Sequence, residues 1–176
     1  MTSGVPGPGG SSVAVVTDDT PPSASPAVEA FWLAFCAATR TSPDVRWDAW
    51  RFGDSDTLAD ELVGLVVHGP KRATAELLST FERDGEPLPE VGAYSVVCDG
   101  RDLPVCVLRT TEVVVAPLSA VDESFAWDEG EGDRTRAWWW DAHERYFTRT
   151  LAARGEPFDP DAPTVFERFE LVWPTG

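Results

Sequence analysis

A chain of 176 residues with 43% hydrophobic content and eight tryptophans is long and apolar enough for one domain with its own core. Its formal net charge of −16 and pI near 4.3 exclude broad electrostatic attraction to nucleic acid or to anionic membranes, while leaving room for a small basic pocket that takes one nucleoside. Three cysteines, Cys36, Cys98 and Cys106, lack CxxC spacing and sit among apolar residues, the pattern of buried thiols rather than of a disulfide framework. With only His68 and His143 beside them, no metal site and no cofactor are expected. No run approaches the ~18 apolar residues of a membrane-spanning helix. The N-terminus also lacks the pattern of a secretory signal, so a cytoplasmic protein is expected.

Residues 1–25 are rich in Gly, Pro, Ser and Thr and read as a disordered extension ahead of one domain over 26–176. Ser25-Pro26 looks like an N-cap followed by proline at the first helical position. Val28, Phe31, Trp32, Phe35 and Cys36 then recur at helical spacing to about Thr39. Trp47 to Asp54 reads as an aromatic loop, whose tryptophans either anchor it to the core or stack on a base beside Arg46 and Arg51. A second helix, capped by Ser55 or Asp56, carries Leu58, Leu62, Leu65 and Val66 on one stripe and closes at Gly69. Thr74 to Arg83 has helical spacing too, with Leu77, Leu78 and Phe81 on one face.

From Val91 the hydrophobic period shortens. Tyr94 to Cys98, a turn at Asp99–Asp102 and Leu103 to Arg109 read as a hairpin, with Glu112 to Ala116 as a third strand. No helix of crossover length intervenes, so the sheet is expected to be antiparallel and curved rather than doubly wound. Asp122 to Asp133 holds six acids and no base. Helix returns from Arg134 to about Arg154, where Trp138-Trp139-Trp140 spans most of the circumference and cannot all face one core. In that helix His143 has apolar company, which favours a core histidine over a general base. A last strand runs from Thr164 to Trp173. The class is α+β.

Chemistry is expected around Gly69-Pro70-Lys71-Arg72-Ala73-Thr74. Lys71 is the only lysine, against 13 arginines, and a lysine pKa can be pulled down by burial to make a base or nucleophile. Thr74 brings a hydroxyl three residues on, and an acid from the 128–133 segment is available to orient the amine or activate a water. The competing reading is a helix C-terminus with a solvated lysine, and a solvated acidic loop at the start of the next helix.

Phe52-Gly53-Asp54, Gly-Pro-Lys-Arg-Ala-Thr ending at Thr74, Pro89-Glu90-Val91-Gly92, Phe125 to Asp133 and Phe166-Glu167-Arg168-Phe169 together resemble the larger bacterial members of the ASCH family. That resemblance implies a PUA-like fold, a small antiparallel or mixed β-barrel flanked by helices. It also implies a cleft holding the Gly-x-Lys-x-x-Thr loop, and an RNA-related role. Shorter members of the family include an amidohydrolase that removes the acetyl group from N4-acetylcytidine, and others are described as ribonucleases. Carried over by motif, the catalytic residues become Lys71, Thr74 and Glu129, the last from Ala126-Trp127-Asp128-Glu129. Arg51, Arg72, Trp50 and Trp138 are the expected ligand-binding side chains. The expected partner is a small nucleoside or short RNA, without a long nucleic-acid footprint. The alternatives to an amidohydrolase are an RNA-binding module or ribonuclease, and a non-enzymatic domain that binds a partner through the tryptophan helix.

Overall fold

The computed structural model describes residues 25–174, so the expected disordered extension lies, but for Ser25, outside the described residues. The helix signals of the sequence act where they stand. Helix α1 (Pro26–Thr39) starts on Ser25, whose side chain accepts the Val28 N–H, and stops at Arg40, which adopts a left-handed conformation. Its buried face is Val28, Trp32, Phe35 and Cys36. Helix α2 (Asp56–His68) takes Ser55 rather than Asp56 as its cap, and the Gly69 N–H closes it on the Leu65 carbonyl. Helix α4 (Glu123–Glu129) follows a short helix α3 (Leu78–Asp84) in chain order, and Asp122 caps it through the Phe125 N–H. Helix α5 (Arg136–Ala152) is capped by Thr135. No described helix is long and apolar enough to cross a membrane.

Among the described residues, five strands form one sheet in the order β1-β3-β4-β5-β2. They are β1 (Trp47–Arg51), β2 (Ala73–Leu77), β3 (Tyr94–Cys98), β4 (Pro104–Pro117) and β5 (Pro163–Trp173). Only β1 and β3 run parallel; every other pair is antiparallel. The sheet curls into a half-barrel of the PUA-like α+β kind. Strand alternation splits the core between two faces. Val96 and Cys98 pack with α1, whereas Val97 lies with Cys106, Leu108 and Phe169 against α2. A third cluster joins Ala73, Ala75, Leu77 and Phe166 to α4 and α5 through Phe125, Trp139 and Phe147.

Four expectations are corrected, the first being the acidic run after Asp122, which holds helix α4 rather than only a loop. Trp47–Arg51 is a strand rather than a loop. It pairs with β3, with Trp47 and Ala49 toward the α1 cluster and Trp50 toward the α2 cluster. Residues 73–77 are a strand rather than helix, with Ala73, Ala75 and Leu77 all inward. The apolar spacing of Leu77, Leu78 and Phe81 masked a period of two carried by alanines, and pairing with β5 decides the matter. The two expected strands at 103–109 and 112–116 are one long strand, bent by a register shift between Thr110 and Glu112.

The turn after α4 is built for close approach. Gly130 has φ of +70°, and a Cβ there would lie 2.6 Å from the Lys71 nitrogen. The Asp128 carbonyl accepts the Arg72 N–H at 2.7 Å on the same contact. We expect Gly130→Ala to lower unfolding free energy by about 1–3 kcal/mol, from strain and displaced backbone together. Urea denaturation checks this; a loss below ~0.5 kcal/mol would mean that α4 and the lysine loop are not locked together.

Candidate functional site

The loop between α2 and β2 is fixed from three sides before any side chain is placed. The Lys71 N–H donates to the Leu65 carbonyl at the end of α2, the Arg72 N–H to Asp128 in α4, and the Phe169 N–H of β5 to the Arg72 carbonyl. Lys71 therefore enters the interior with its backbone immobilised, and only 1% of the residue is exposed.

Its ammonium meets two carboxylates. Nζ lies 2.6 Å from Glu129 Oε2 and 2.6 Å from Glu131 Oε1, with the Phe52 ring 5.2 Å from it. Glu129 is as buried as the lysine, whereas the Glu131 side chain is 16% exposed. His143 Nδ1 sits 3.0 Å from the Trp139 carbonyl, which can only accept, so that nitrogen carries a proton. His143 Nε2 faces Glu129 Oε1 at 3.5 Å, and that buried oxygen has no closer hydrogen-bond partner. The imidazole also stacks on Trp139, centroids 3.8 Å apart.

These contacts correct the expected proton chemistry of the lysine. Burial alone pulls its pKa down, but the Glu129 and Glu131 carboxylates together outweigh that and hold it above the ordinary lysine value. Lys71 is an ammonium, not a resting base. Glu129 is likewise opposed by desolvation, and Lys71 with His143 keeps it well below the usual carboxylate range. Glu131 goes the other way: desolvation and the neighbouring Glu129 raise it against the pull of Lys71. Two acids beside one cation thus separate into a fixed anion and a proton-exchanging carboxyl.

The cluster borders a cleft of ≈ 930 Å³ whose lining includes Trp50, Thr74, Trp138, His143 and Tyr146. Thr74 is half-buried on β2 and lines the same cleft as Lys71 and Glu129. Trp138 lies over Gly132, where a Cβ would come within 2.0 Å of its ring. The tryptophan triplet does divide: Trp139 is in the core, Trp140 packs partly against that core and Trp138 lines the cleft. Arg51 is at the cleft, its guanidinium on Asp56 and the Gly100 carbonyl. Arg72 turns its guanidinium onto the carbonyls of Val66, Gly69 and Lys71 and is absent from the lining. Glu131 comes from the 128–133 segment in which an acid was expected but Glu129 was chosen by motif, and His143, expected as a core histidine, stands instead beside Glu129 at the cleft. The signal for Glu131 was its position in Glu129-Gly130-Glu131, where a glycine turn aims two glutamates at one point.

The sequence profile of the ASCH domain matches residues 48–173. The chain belongs to the ASCH domain family. An ASCH domain from Lactobacillus crispatus JV V101 has a crystal structure that superposes with a TM-score of 0.73 at 30% identity, over 82% of this chain and 93% of that one. Protein EF3133 from Enterococcus faecalis V583 is similar at 36% identity and a TM-score of 0.71, over 82% of this chain and 87% of its own. No curated protein matches this ASCH-domain chain.

A second buried carboxyl, Glu167 on β5, lies in the same lining. Its Oε1 accepts from Thr110 Oγ1 at 2.7 Å, and burial pushes the carboxyl up to about 7. Its folded pKa is above its unfolded one, so the folded state holds the proton more tightly. The stability this contributes is full below pH ~4.3 and is lost as pH rises through about 7. We expect Glu167→Gln to gain on the wild type by about 3 kcal/mol between pH 5 and pH 8.5. Paired urea titrations at the two pH values check it, and parallel pH dependence in both proteins would contradict it.

Proposed function

We propose that this ASCH-domain protein hydrolyses an amide on a small aromatic base, of the kind found in N4-acylated cytidine. The observation that carries the reading is the Lys71–Glu129–Glu131 cluster, one ammonium between two carboxyls of opposite proton affinity, on the wall of a cleft of ≈ 930 Å³ with room for a nucleoside. Aromatic side chains in the lining favour a planar ligand.

In this reading the acyl group sits near Glu131, the most exposed member of the cluster. Glu131 as carboxylate takes a proton from water while that water oxygen attacks the acyl carbon. Lys71 spends two of its three N–H bonds on glutamates and offers the third to the developing oxyanion. Collapse of the tetrahedral intermediate breaks the C–N bond, and Glu131 returns the proton to the leaving amine. The products are a carboxylic acid and the free base amine. Glu129 remains ionised throughout and holds the ammonium in place. Thr74 contributes its hydroxyl to the same lining, where it positions the water or the acyl oxygen. Because Lys71 is already protonated, the proton acceptor in this scheme is Glu131 and not the lysine.

RNA binding or ribonuclease activity is the runner-up, and the rim charges count against it. Arg46 is paired with Glu90, Arg51 with Asp56 and Arg149 with Asp54. Guanidiniums already paired with acids have less to gain from phosphates.

With N4-acetylcytidine as substrate, we expect release of cytidine and acetate. Lys71→Ala and Glu131→Gln should each lower kcat/KM by ~10²-fold or more. The wild-type pH profile should show an acid limb above the ~4.3 of a free glutamate, because Glu131 must lose a raised proton before it can accept one. Intact substrate at high enzyme concentration, or full activity in Lys71→Ala, contradicts the reading.

A further inference from the structure

The cleft has a second polar surface that the Lys71 cluster does not use. Its floor is the sheet itself. In register, Asp48 of β1 stands beside Ser95 of β3, and Thr74 of β2 beside Glu167 of β5. All four line the cleft. Glu167 is the anomaly among them. It is 8% exposed, on a strand with neighbours on both sides that also buries Phe166 and Phe169. Thr110 satisfies its Oε1, placed there at the bend of β4. Among the described residues no hydrogen bond reaches Oε2 and no cation pairs with the group. The enclosed side-chain atoms left without a partner are Glu129 Oε1 and Trp139 Nε1; Glu167 Oε2 is not one of them and keeps access to the cleft that its residue lines.

We propose that Glu167 is the specificity-determining residue of the cleft, its unpartnered carboxyl oxygen taking the hydrogen-bonding edge of an uncharged heterocycle. This rests on the reading of the cleft as a nucleoside-type site and adds how the base is recognised. A carboxyl that holds its proton near neutral pH both donates and accepts, which matches a ring nitrogen beside an amino or amide N–H. Asp48 acts on Glu167 as a like charge and makes this floor unfavourable for an anionic ligand edge. The base would lie over the sheet, with its exocyclic nitrogen directed toward Glu167 and the Lys71 cluster on the cleft wall.

The test is binding without turnover, by calorimetry on the full chain, with cytidine and with the pyrimidin-2-one riboside that lacks the exocyclic amine. We expect wild type to prefer cytidine by about tenfold. Glu167→Leu, which removes the acceptor facing the amine, should bind the two ligands within about twofold of each other. A merely structural role would weaken both ligands alike and preserve the ratio. Equal affinity of wild type for the two ligands overturns the proposal, and this comparison needs no variant to fold. A preference that survives in Glu167→Leu overturns it as well. Neither ligand is an amide, so loss of N4-acetylcytidine hydrolysis alone would remove the catalytic reading and leave this measurement standing.

Discussion

An ammonium with 1% of its residue surface exposed can remain charged only if carboxylates meet it at hydrogen-bond distance. Desolvation of each ion costs several kcal/mol, and removing one partner from such a pair is far worse than replacing both by apolar groups. Lys71 meets two, at 2.6 Å each, and the surplus negative charge has to be accommodated as well. It is accommodated by division: Glu129, fully enclosed and beside His143, keeps its charge, while Glu131 near the opening rises toward protonation. The cluster is consequently asymmetric in proton affinity and in exposure along the same direction, from floor to cleft. That asymmetry gives it an acid–base group where a ligand can reach one.

The fold exists at this point to hold backbone against backbone. The C-terminus of α2, the last turn of α4 and strand β5 converge on Lys71 and Arg72 through three main-chain hydrogen bonds. Gly130 leaves space for the lysine backbone, and Gly132 for the Trp138 ring. Arg72 contributes to the same anchoring through three carbonyls, so the two adjacent cations of the loop have separate tasks. The Arg168 guanidinium extends the anchoring outward by joining Asp128 of α4 to Glu112 of β4. A short loop tied on three sides to regular elements supplies the rigidity that a site with hydrogen-bond tolerances requires.

Much of this was legible in the residues. Ser25 announces α1 by capping chemistry, and the strands rich in valine declare a period of two, whereas α4 with its Asp122 cap lay hidden in an acidic run expected as a loop. The rarity of lysine singled out Lys71, and the motif carried Glu129. What the residues alone concealed was pairing over long range. Trp47–Arg51 is too short and too aromatic to be told from a loop until β3 lies beside it, and Ala73-Thr74-Ala75 has helical propensity that β5 overrides. The direction of the lysine pKa was concealed for the same reason. Burial argued for a fall, and only the arrival of Glu129 and Glu131, 58 and 60 residues away, reverses its sign. Glu167 was hidden in an alternating strand, where its inward direction is visible but its lack of a second hydrogen-bond partner is not.

Because the chain has one lysine, the protonation of the central group can be read without interference. Uniform incorporation of ¹⁵N-lysine gives a single side-chain nitrogen, whose chemical shift follows its proton as pH is raised. We expect a protonated Nζ with protected exchange that persists above the ~10.4 of a free lysine. In Glu129→Gln the same nitrogen should titrate at lower pH. A wild-type nitrogen that loses its proton below ~10.4 would contradict the charged, doubly clamped lysine.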